Sequence, residues 1–241
     1  MKLLAITCYT GGVPMADMTH RMVAGLFSSF EEAGLEGMIS VCAQGADKEL
    51  GFTDRGKVAF QQLVMPDNRG FAIGMNLALA AASPYVPFDA VLCLNNDLEF
   101  PHVDWLKNLI ATVNLETHVG APTNTYSSSS EQQRPHREDR DPVNSRITPA
   151  ICWLLSWRSC GILFDQLGFL HLFREDLGRA WGEDVYSAAY LRKGLGTKPF
   201  RIVPRAWVKH LGARTSSLIP VAERLAANRK AHQLLKEEFS G

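Results

Sequence analysis

Apolar runs of strand length alternate, along the first part of the chain, with stretches in which apolar residues recur at helical spacing. "LLAITCY" at residues 3–9 and "EGMISVCAQ" at Glu36–Gln44 predict two strands, and the chain between them predicts a helix over residues 18–34 that ends at a glycine. A third strand is predicted around residues 60–65, followed by a turn and a helix in "NRGFAIGMNLALAAA". This alternation predicts an α/β sheet with helices on its faces.

The fourth predicted strand, in "DAVLCLNND" at residues 89–97, is expected at the centre of the sheet because it is too apolar to have one face in water. Beyond it, the pattern predicts a helix over residues 101–114 with Pro101 at its start, a short strand in "HVGAPTNTY", and a strand and helix in "AICWLLSWRSCGILFDQLGFLHLF". Residues 127–146 are almost wholly polar and predict a surface excursion, either a functional lid or an insertion without a role. Residues 221–239 predict a charged amphipathic helix on the surface.

Composition narrows the class of protein. The chain has 241 residues, 46% of them hydrophobic, which suffices for one compact domain. Lys plus Arg and Asp plus Glu number 25 each, so no overall field attracts nucleic acid or anionic lipid. The five cysteines form no C-x-x-C pair and mostly lie in apolar runs, which is typical of core thiols in a reduced, cytoplasmic setting. No apolar run approaches the roughly 18 residues of a transmembrane helix, and the N-terminal run is too short for a signal peptide.

Candidate chemistry begins where the central strand ends in Asn95, Asn96 and Asp97. Ligands of open α/β sheets bind outside the carboxyl ends of the strands, where the loops leave backbone groups free. A carboxylate held there loses hydration and is normally paired with a cation or a metal ion. The alternative is that Asp97 only caps the helix that begins near Pro101.

Three further motifs accompany this aspartate: "NRGFAIGMN" before the strand, "WGEDVYSAAYLRKGLG" well after it, and "VPRAWVKHLGARTS" last. In this order the four motifs resemble the family 2 glycosyltransferases of the GT-A fold, particularly the rhamnosyltransferase-like branch. The resemblance covers residues 3 to about 215. It implies one GT-A domain over residues 1–241, with a Rossmann-like mixed sheet flanked by helices. The nucleotide-binding half would span about 1–100, the acceptor-binding half about 101–220, and the surface helix 221–239.

The resemblance assigns residues that bind the sugar nucleotide and a divalent cation. Its glycine-rich turn, where missing side chains would let backbone approach the nucleotide, matches Asn68, Gly70, Phe71, Gly74 and Asn76. The alternative for these glycines is an ordinary strand-to-helix turn. Asn95, Asn96 and Arg192 are further donor contacts, and Arg192 could instead pair with a carboxylate or be solvated. Asp97 and the late His210 match the ligands of Mn²⁺ or Mg²⁺, although Asn95 stands where D-x-D has its first aspartate, which weakens the expected metal site.

The physical need agrees with these assignments, because a leaving diphosphate concentrates negative charge that a hard cation neutralises. A base must also take the proton of the acceptor hydroxyl, and in an inverting transfer the resemblance gives this role to the carboxylate pair Glu183 and Asp184, with Asp184 preferred. The alternative is that both are acids favoured by a helix N-terminus. The family's aspartate-rich loop is missing, so only Asp47 or Gln44 could take its place, and Thr7 and Tyr9 at the end of the first strand could also lie near the base. UDP, dTDP and GDP therefore all stay open.

The acceptor is the least defined partner. Trp181 precedes the carboxylate pair and is expected to stack on an acceptor sugar. Nearby arginines would suit an anionic acceptor such as a lipid-linked diphosphate or a nucleic acid with a hydroxymethylated base, and neither is strongly favoured. Two other classes also remain open. One is a nucleotidyltransferase on a related sheet, and the other is a non-catalytic sugar-nucleotide-binding protein, which the missing aspartate would fit.

Overall fold

The structure, a computed structural model, describes residues 1–45, 49–85, 87–124, 141–177, 183–211 and 220–239. Strands and helices alternate in the first part of the chain as their spacing predicts. The elements there are β1 (Lys2–Thr10), α1 (Val13–Glu32), β2 (Glu36–Gln44), β3 (Val58–Met65), α2 (Phe71–Ala82), a 3₁₀ turn (Ser83–Tyr85) and β4 (Ala90–Leu94).

The second part of the chain contains shorter strands and the longer helical connections. Its elements are β5 (Leu98–Glu99), α3 (Trp105–Thr112), β6 (Val119–Asn124), β7 (Val143–Ser145), β8 (Cys152–Ser156), α4 (Trp157–Leu167), a 3₁₀ turn (Glu175–Leu177), α5 (Glu183–Leu195), β9 (Phe200–His210) and α6 (Val221–Phe239).

All nine strands of the described residues join in one mixed sheet. Its order is β3-β2-β1-β4-β8-β6-β9-β5, with β7 added to β9. The first four strands are parallel, β8 runs antiparallel to both β4 and β6, and β9 is parallel to β6. The predicted open α/β sheet is therefore confirmed. So is the central place of β4, whose five residues are all buried.

Each face of the sheet carries its own hydrophobic core. Helices α1 and α3 cover one face through side chains such as Met22, Leu26 and Trp105. Helices α2, α4, α5 and α6 cover the other face, with Leu79 and Leu163 among the buried side chains. All five cysteines are buried and none forms a disulfide, as the sequence predicts for core thiols. Helix α6 is mostly exposed, as expected of a surface helix. None of the helices in the described ranges is both long and apolar enough to span a bilayer.

Three predicted boundaries are wrong. Helix α1 begins at Val13, ahead of the apolar repeat, because a proline in its first turn extends it. Helix α3 begins at Trp105 and not at Pro101, because the Phe100 ring stacks on the Trp105 ring, with 4.7 Å between the ring centroids, and this contact is incompatible with a helix through residues 101–104. The predicted excursion over residues 127–146 ends in strand β7, which joins the sheet by pairing with β9 and buries only Ser145, so its side chains carry no strand pattern. The excursion's remainder, 127–140, lies outside the described residues.

The segment that follows Asp97 is fixed by a buried contact between α1 and α3. The Trp105 indole Nε1–H donates to Ser29 Oγ at 2.8 Å, and that hydroxyl donates to the Gly25 carbonyl at 2.9 Å. Both side chains are buried, so water cannot replace either bond. The packing of these helices therefore limits how far residues 98–104 can move.

Ser29→Ala is expected to lower the free energy of unfolding by about 1–3 kcal/mol, because it leaves the buried indole N–H of Trp105 without an acceptor. Urea denaturation measures this change. Ser28→Ala is the matched control, since the neighbouring Ser28 is exposed and its loss should change stability by no more than about 0.5 kcal/mol. Equal effects of the two substitutions would contradict the assigned role of Ser29.

Candidate active site at the carboxyl edge of the sheet

Several strands end at one edge of the sheet, and this edge gathers the predicted site residues. In β1, Thr7 pairs with Leu94 of β4, and Thr10 pairs with Gln44 of β2. Strand β8 is antiparallel to both β4 and β6, so β6 runs in the same direction as β4. Strand β9 is parallel to β6 and therefore also runs in this direction. The ends of β1, β2, β4 and β9 therefore meet at the same edge, as expected for a ligand site of an α/β sheet.

Asp97 and His210 form a buried pair at this edge. Oδ1 of Asp97 lies 3.1 Å from Nε2 of His210, and the two residues are only 4% and 9% exposed. Two backbone contacts hold them in register. Leu98 pairs with His210 between β5 and β9, and the N–H of Leu211 donates to the Asp97 carbonyl at 2.9 Å. The two-residue strand β5, which the sequence pattern does not reveal, is what brings the predicted metal ligands together.

The two asparagines before Asp97 have different surroundings. The Asn95 amide Nδ2 lies 3.5 Å from Nε2 of His210, so this side chain adjoins the pair. Asn96 instead donates from Nδ2 to the Thr19 hydroxyl of α1 at 3.1 Å and is buried. Of the two predicted donor contacts, Asn95 thus lies at the pair and Asn96 anchors the loop to α1. Thr19 itself was not foreseen, because nothing in the local sequence marks so distant a contact.

The Asp97–His210 pair fits two ligands of one divalent cation. Two neighbouring ligands at about 2.1 Å from an octahedral ion are about 3.0 Å apart, close to the separation seen here. A carboxylate oxygen and an imidazole nitrogen are both ligands that such ions accept. Among the residues that the structure describes, no group of three or more His, Cys, Asp or Glu side chains comes together. Water and substrate oxygens would therefore have to complete the coordination shell.

The glycine-rich turn that opens α2 is tied to the ends of β1 and β2. Gly70 adopts a φ of 100°, which favours glycine, and its N–H donates to Asn68 Oδ1 at 3.0 Å. The Gln44 side chain bonds the turn twice, donating to the Gly70 carbonyl and accepting from the Arg69 N–H, both at 3.0 Å. A Cβ at Gly74 would lie 2.4 Å from Gln44 Nε2. Gln44 is therefore engaged in shaping this turn.

Asn76 binds a distant segment of its own chain. Its Nδ2 donates to the Phe173 carbonyl at 2.8 Å and to Glu175 Oε1 at 3.0 Å, and its Oδ1 accepts from the N–H groups of Leu172 and Phe173. The predicted donor contact of Asn76 would require one of these bonds to break. Phe71, the neighbouring prediction, packs edge-on against the Phe173 ring at 5.2 Å.

Glu183 and Asp184 begin helix α5 and are half-buried. Burial, reinforced by the charge of Asp184, raises the pKa of Glu183 to about 7. Burial also raises the pKa of Asp184, although Oδ1 accepts a hydrogen bond from the Val185 N–H at 2.8 Å. The Asp184 carboxylate also accepts a hydrogen bond from the backbone of Ala150, which lies just before the end of β8 that pairs with the carboxyl end of β4. The carboxylate pair is therefore close to the same edge.

For the remaining predicted site residues, the contacts of the described residues connect none directly to Asp97, His210 or the carboxylate pair. Thr7 is 1% exposed, and its hydroxyl finds no hydrogen-bond partner within the described ranges. Arg192 lies in the last turns of α5, where Nη1 donates to the Arg146 carbonyl just after β7 at 3.3 Å. Asp47 and Trp181 lie outside the described residues.

Solved structures with the same architecture come from known glycosyltransferases. No protein-family model and no curated protein sequence matches the chain. Residues 1–349 of S. aureus TarS superpose with a TM-score of 0.58 at 13% identity, covering 100% of this chain and 72% of that one. Mannosyltransferase PcManGT from Pyrobaculum calidifontis, in complex with GDP-Man and Mn²⁺, superposes with a TM-score of 0.53 at 14% identity. The match covers 88% of this chain and 57% of the mannosyltransferase. GalNAc-T7 with UDP, GalNAc and Mn²⁺ superposes with a TM-score of 0.57 at 13% identity, and the match covers 87% of this chain and 43% of GalNAc-T7.

The chain has the GT-A fold. The predicted fold class is thus confirmed, and at identities this low the comparison extends no further than the fold. This GT-A chain spans little more than half of the mannosyltransferase and less than half of GalNAc-T7. Its own side chains therefore have to carry any argument about activity.

Glu183→Gln is expected to remove a pH dependence of stability. Because the folded-state pKa of about 7 lies above the ordinary value of 4.5, the folded protein binds this proton more tightly than the unfolded chain. The stability that the protonated Glu183 contributes to the folded state is fully present below pH 4.5 and is lost as the pH rises to about 7. The free energy of unfolding of Glu183→Gln, minus that of the wild type, should therefore rise by about 1–3 kcal/mol over this range.

Denaturant unfolding at a series of pH values measures this difference. Glu32→Gln is the control, because Glu32 is exposed and its substitution should give a profile parallel to that of the wild type. A parallel profile for Glu183→Gln would contradict the raised pKa.

Proposed function

We propose that the protein is a glycosyltransferase that moves a sugar from a nucleotide-diphosphate sugar to an acceptor hydroxyl. The observation that carries the proposal is the buried Asp97–His210 pair, 3.1 Å apart at the carboxyl edge of a GT-A sheet. A buried carboxylate at such an edge, beside an imidazole and the Asn95 amide, suits a cation that accompanies a diphosphate. The second support is a carboxylate pair with raised pKa values near the same edge.

Asp97 and His210 would hold a divalent cation, Mn²⁺ or Mg²⁺, against the donor diphosphate. When bound, the cation supplies positive charge that stabilises the leaving diphosphate. Asn95 contributes an amide where D-x-D has a carboxylate, so the protein would place less negative charge at the ion. The side chains of the described residues are too few to enclose the ion, and binding of the ion and the donor should therefore be mutually dependent.

Asp184 would act as the base of an inverting transfer. Its carboxylate takes the acceptor proton while the acceptor oxygen bonds to the anomeric carbon, and the bond from that carbon to the diphosphate breaks with its electron pair on the leaving group. Burial makes Asp184 a stronger base, and the Val185 N–H orients its carboxylate. Glu183, with a pKa of about 7, can hold a proton beside it, so the two carboxyl groups need not both be charged.

The donor and the acceptor are proposed only as chemical classes. The neighbouring structures hold GDP-Man or UDP, and we propose a UDP, dTDP or GDP sugar as the donor here, with a hexose or rhamnose transferred. The glycine turn at Gly70 would approach the nucleotide. The membership in family 2 and its rhamnosyltransferase-like branch is part of this proposal and rests on the order of the four motifs. The acceptor would carry a free hydroxyl on a glycan, a lipid-linked sugar or a modified base.

The donor site is tested by thermal unfolding with UDP-, dTDP- and GDP-sugars, each with and without Mn²⁺. A ligand at about a hundred times its Kd adds about 2.7 kcal/mol to stability and raises the midpoint clearly. We expect one nucleotide class to give a Mn²⁺-dependent shift that Asp97→Asn abolishes. Asp104→Asn is the control, because Asp104 is exposed, makes no cap bond, and should keep the shift. An undiminished shift in Asp97→Asn would remove Asp97 from the site.

The base is tested by Asp184→Asn, which should lower the transfer rate by about a hundredfold or more while the donor-induced thermal shift stays unchanged. Release of the nucleoside diphosphate from the donor identified above measures the rate. Asp165→Asn, an exposed change of the same kind in α4, should have the wild-type rate. A wild-type rate in Asp184→Asn would exclude it as the base. A wild-type protein that binds donor but transfers nothing would favour the non-catalytic alternative.

A further inference from the structure

Arg174 is the centre of an ionic cluster that joins the segment before α5 to the C-terminal helix. Its guanidinium donates to both oxygens of Asp176, from Nε at 2.6 Å and from Nη2 at 3.1 Å. A third donor, Nη1, reaches Oε1 of Glu238 in α6 at 2.6 Å. The guanidinium also lies over the ring of Tyr186 in α5, 4.6 Å from its centroid. One side chain thus contacts the segment, α5 and α6.

Glu238 completes the connection from the side of α6. Its second oxygen accepts a hydrogen bond from the Tyr190 hydroxyl at 2.7 Å. Burial alone would raise the pKa of Glu238, but the bonds from Arg174 and Tyr190 bring it below its ordinary value, so the carboxylate stays charged. The ring of Phe239 packs on Tyr190 at 5.0 Å and on Tyr186 at 6.0 Å. The last turn of α6 is therefore fixed on α5 by charge, hydrogen bonding and aromatic packing.

Residues 172–177 are held from three sides. Asn76 of α2 bonds Leu172, Phe173 and Glu175, as described above, and Ser187 Oγ of α5 donates to the Leu172 carbonyl at 2.7 Å. From α6, Lys230 Nζ donates to the Asp176 carbonyl. Helix α5 itself packs on α4 and α6. Its first turn is therefore placed by this cluster, whereas Asp97 and His210 are placed by the pairing of β5 with β9.

We propose that the Arg174–Glu238 bond positions the first turn of α5, so that it holds Glu183 and Asp184 at the carboxyl edge of the sheet. Arg174 and Glu238 are positioning residues, because they act through α5 and touch no reacting group. Loss of the bond lowers the rate of transfer and leaves donor affinity unchanged, since Asp97 and His210 are held by the pairing of β5 with β9. This kinetic consequence rests on the proposed function, while the positional claim does not.

Glu238→Gln tests the inference with almost no change of shape, because it removes the charge that Arg174 binds. Glu237→Gln is the matched control, since Glu237 is exposed like Glu238 but bonds only Gln233 within α6 among the contacts of the described residues. In Glu238→Gln we expect kcat to fall about tenfold and the donor KM to stay within about twofold. Glu237→Gln should match the wild type in both.

A second measurement does not depend on activity. ¹³C NMR titration of the glutamate carboxyl carbons, well below the unfolding midpoint, gives the pKa of Glu183 in each variant. If the first turn of α5 loosens in Glu238→Gln, Glu183 becomes more hydrated and its pKa falls from about 7 toward the ordinary value of 4.5. A purely structural role of Glu238 would lower the unfolding midpoint and leave this pKa where it is.

The outcomes separate the two claims. A fall of both kcat and the Glu183 pKa in Glu238→Gln supports the inference. An unchanged kcat with an active wild type overturns it and leaves the proposed function intact. If the wild type transfers no sugar, the proposed function fails, and the NMR titration alone decides the positional claim. Should Glu238→Gln fold poorly, Tyr190→Phe, which removes one hydrogen bond to the same carboxylate, gives the same titration test.

Discussion

A carboxylate buried at the edge of a sheet has to be compensated, and this requirement organises the site around Asp97. The His210 imidazole lies beside this carboxylate only because two residues of β5 pair with the end of β9. The pairing is made by backbone groups, so it is insensitive to the side chains that flank it. Everything else at the edge, including the Asn95 amide and the anchoring of Asn96 on α1, is arranged around this fixed pair.

Much of the fold could be predicted because the hydrophobic pattern is governed by burial. The alternation of strands and helices and the central position of β4 follow from which residues avoid water. The failures share a physical cause. Strands β5 and β7 enter the sheet by backbone pairing at its margin and have only two and three residues, too few for a hydrophobic pattern to reveal them. The motif order located Asp97 and His210, but the strand that joins them could not be read from the residues themselves.

Two buried amides, Gln44 at the end of β2 and Asn76 in the glycine-rich motif, illustrate why a residue type does not fix a role. Gln44 and Asn76 are buried, and both bond groups within the chain, one at the turn before α2 and the other at residues 172–175. A buried amide has to satisfy both its donor and its acceptor groups, and a partner far along the chain serves as well as a ligand. Sequence spacing carries no information about such partners, so these roles needed the structure.

The presence of a separate hydrophobic core on each face of the sheet has a consequence for how such a protein changes over time. The Asp97–His210 pair is supported from the face of α1 and α3, and the carboxylate pair of α5 from the opposite face. Packing defects spread mainly within one core, because the sheet between them is rigid. Mutations that accumulate around α5 can therefore alter the surroundings of the carboxylate pair while the Asp97–His210 contact is inherited intact. The architecture allows the two residue pairs at this edge of the sheet to evolve at different rates.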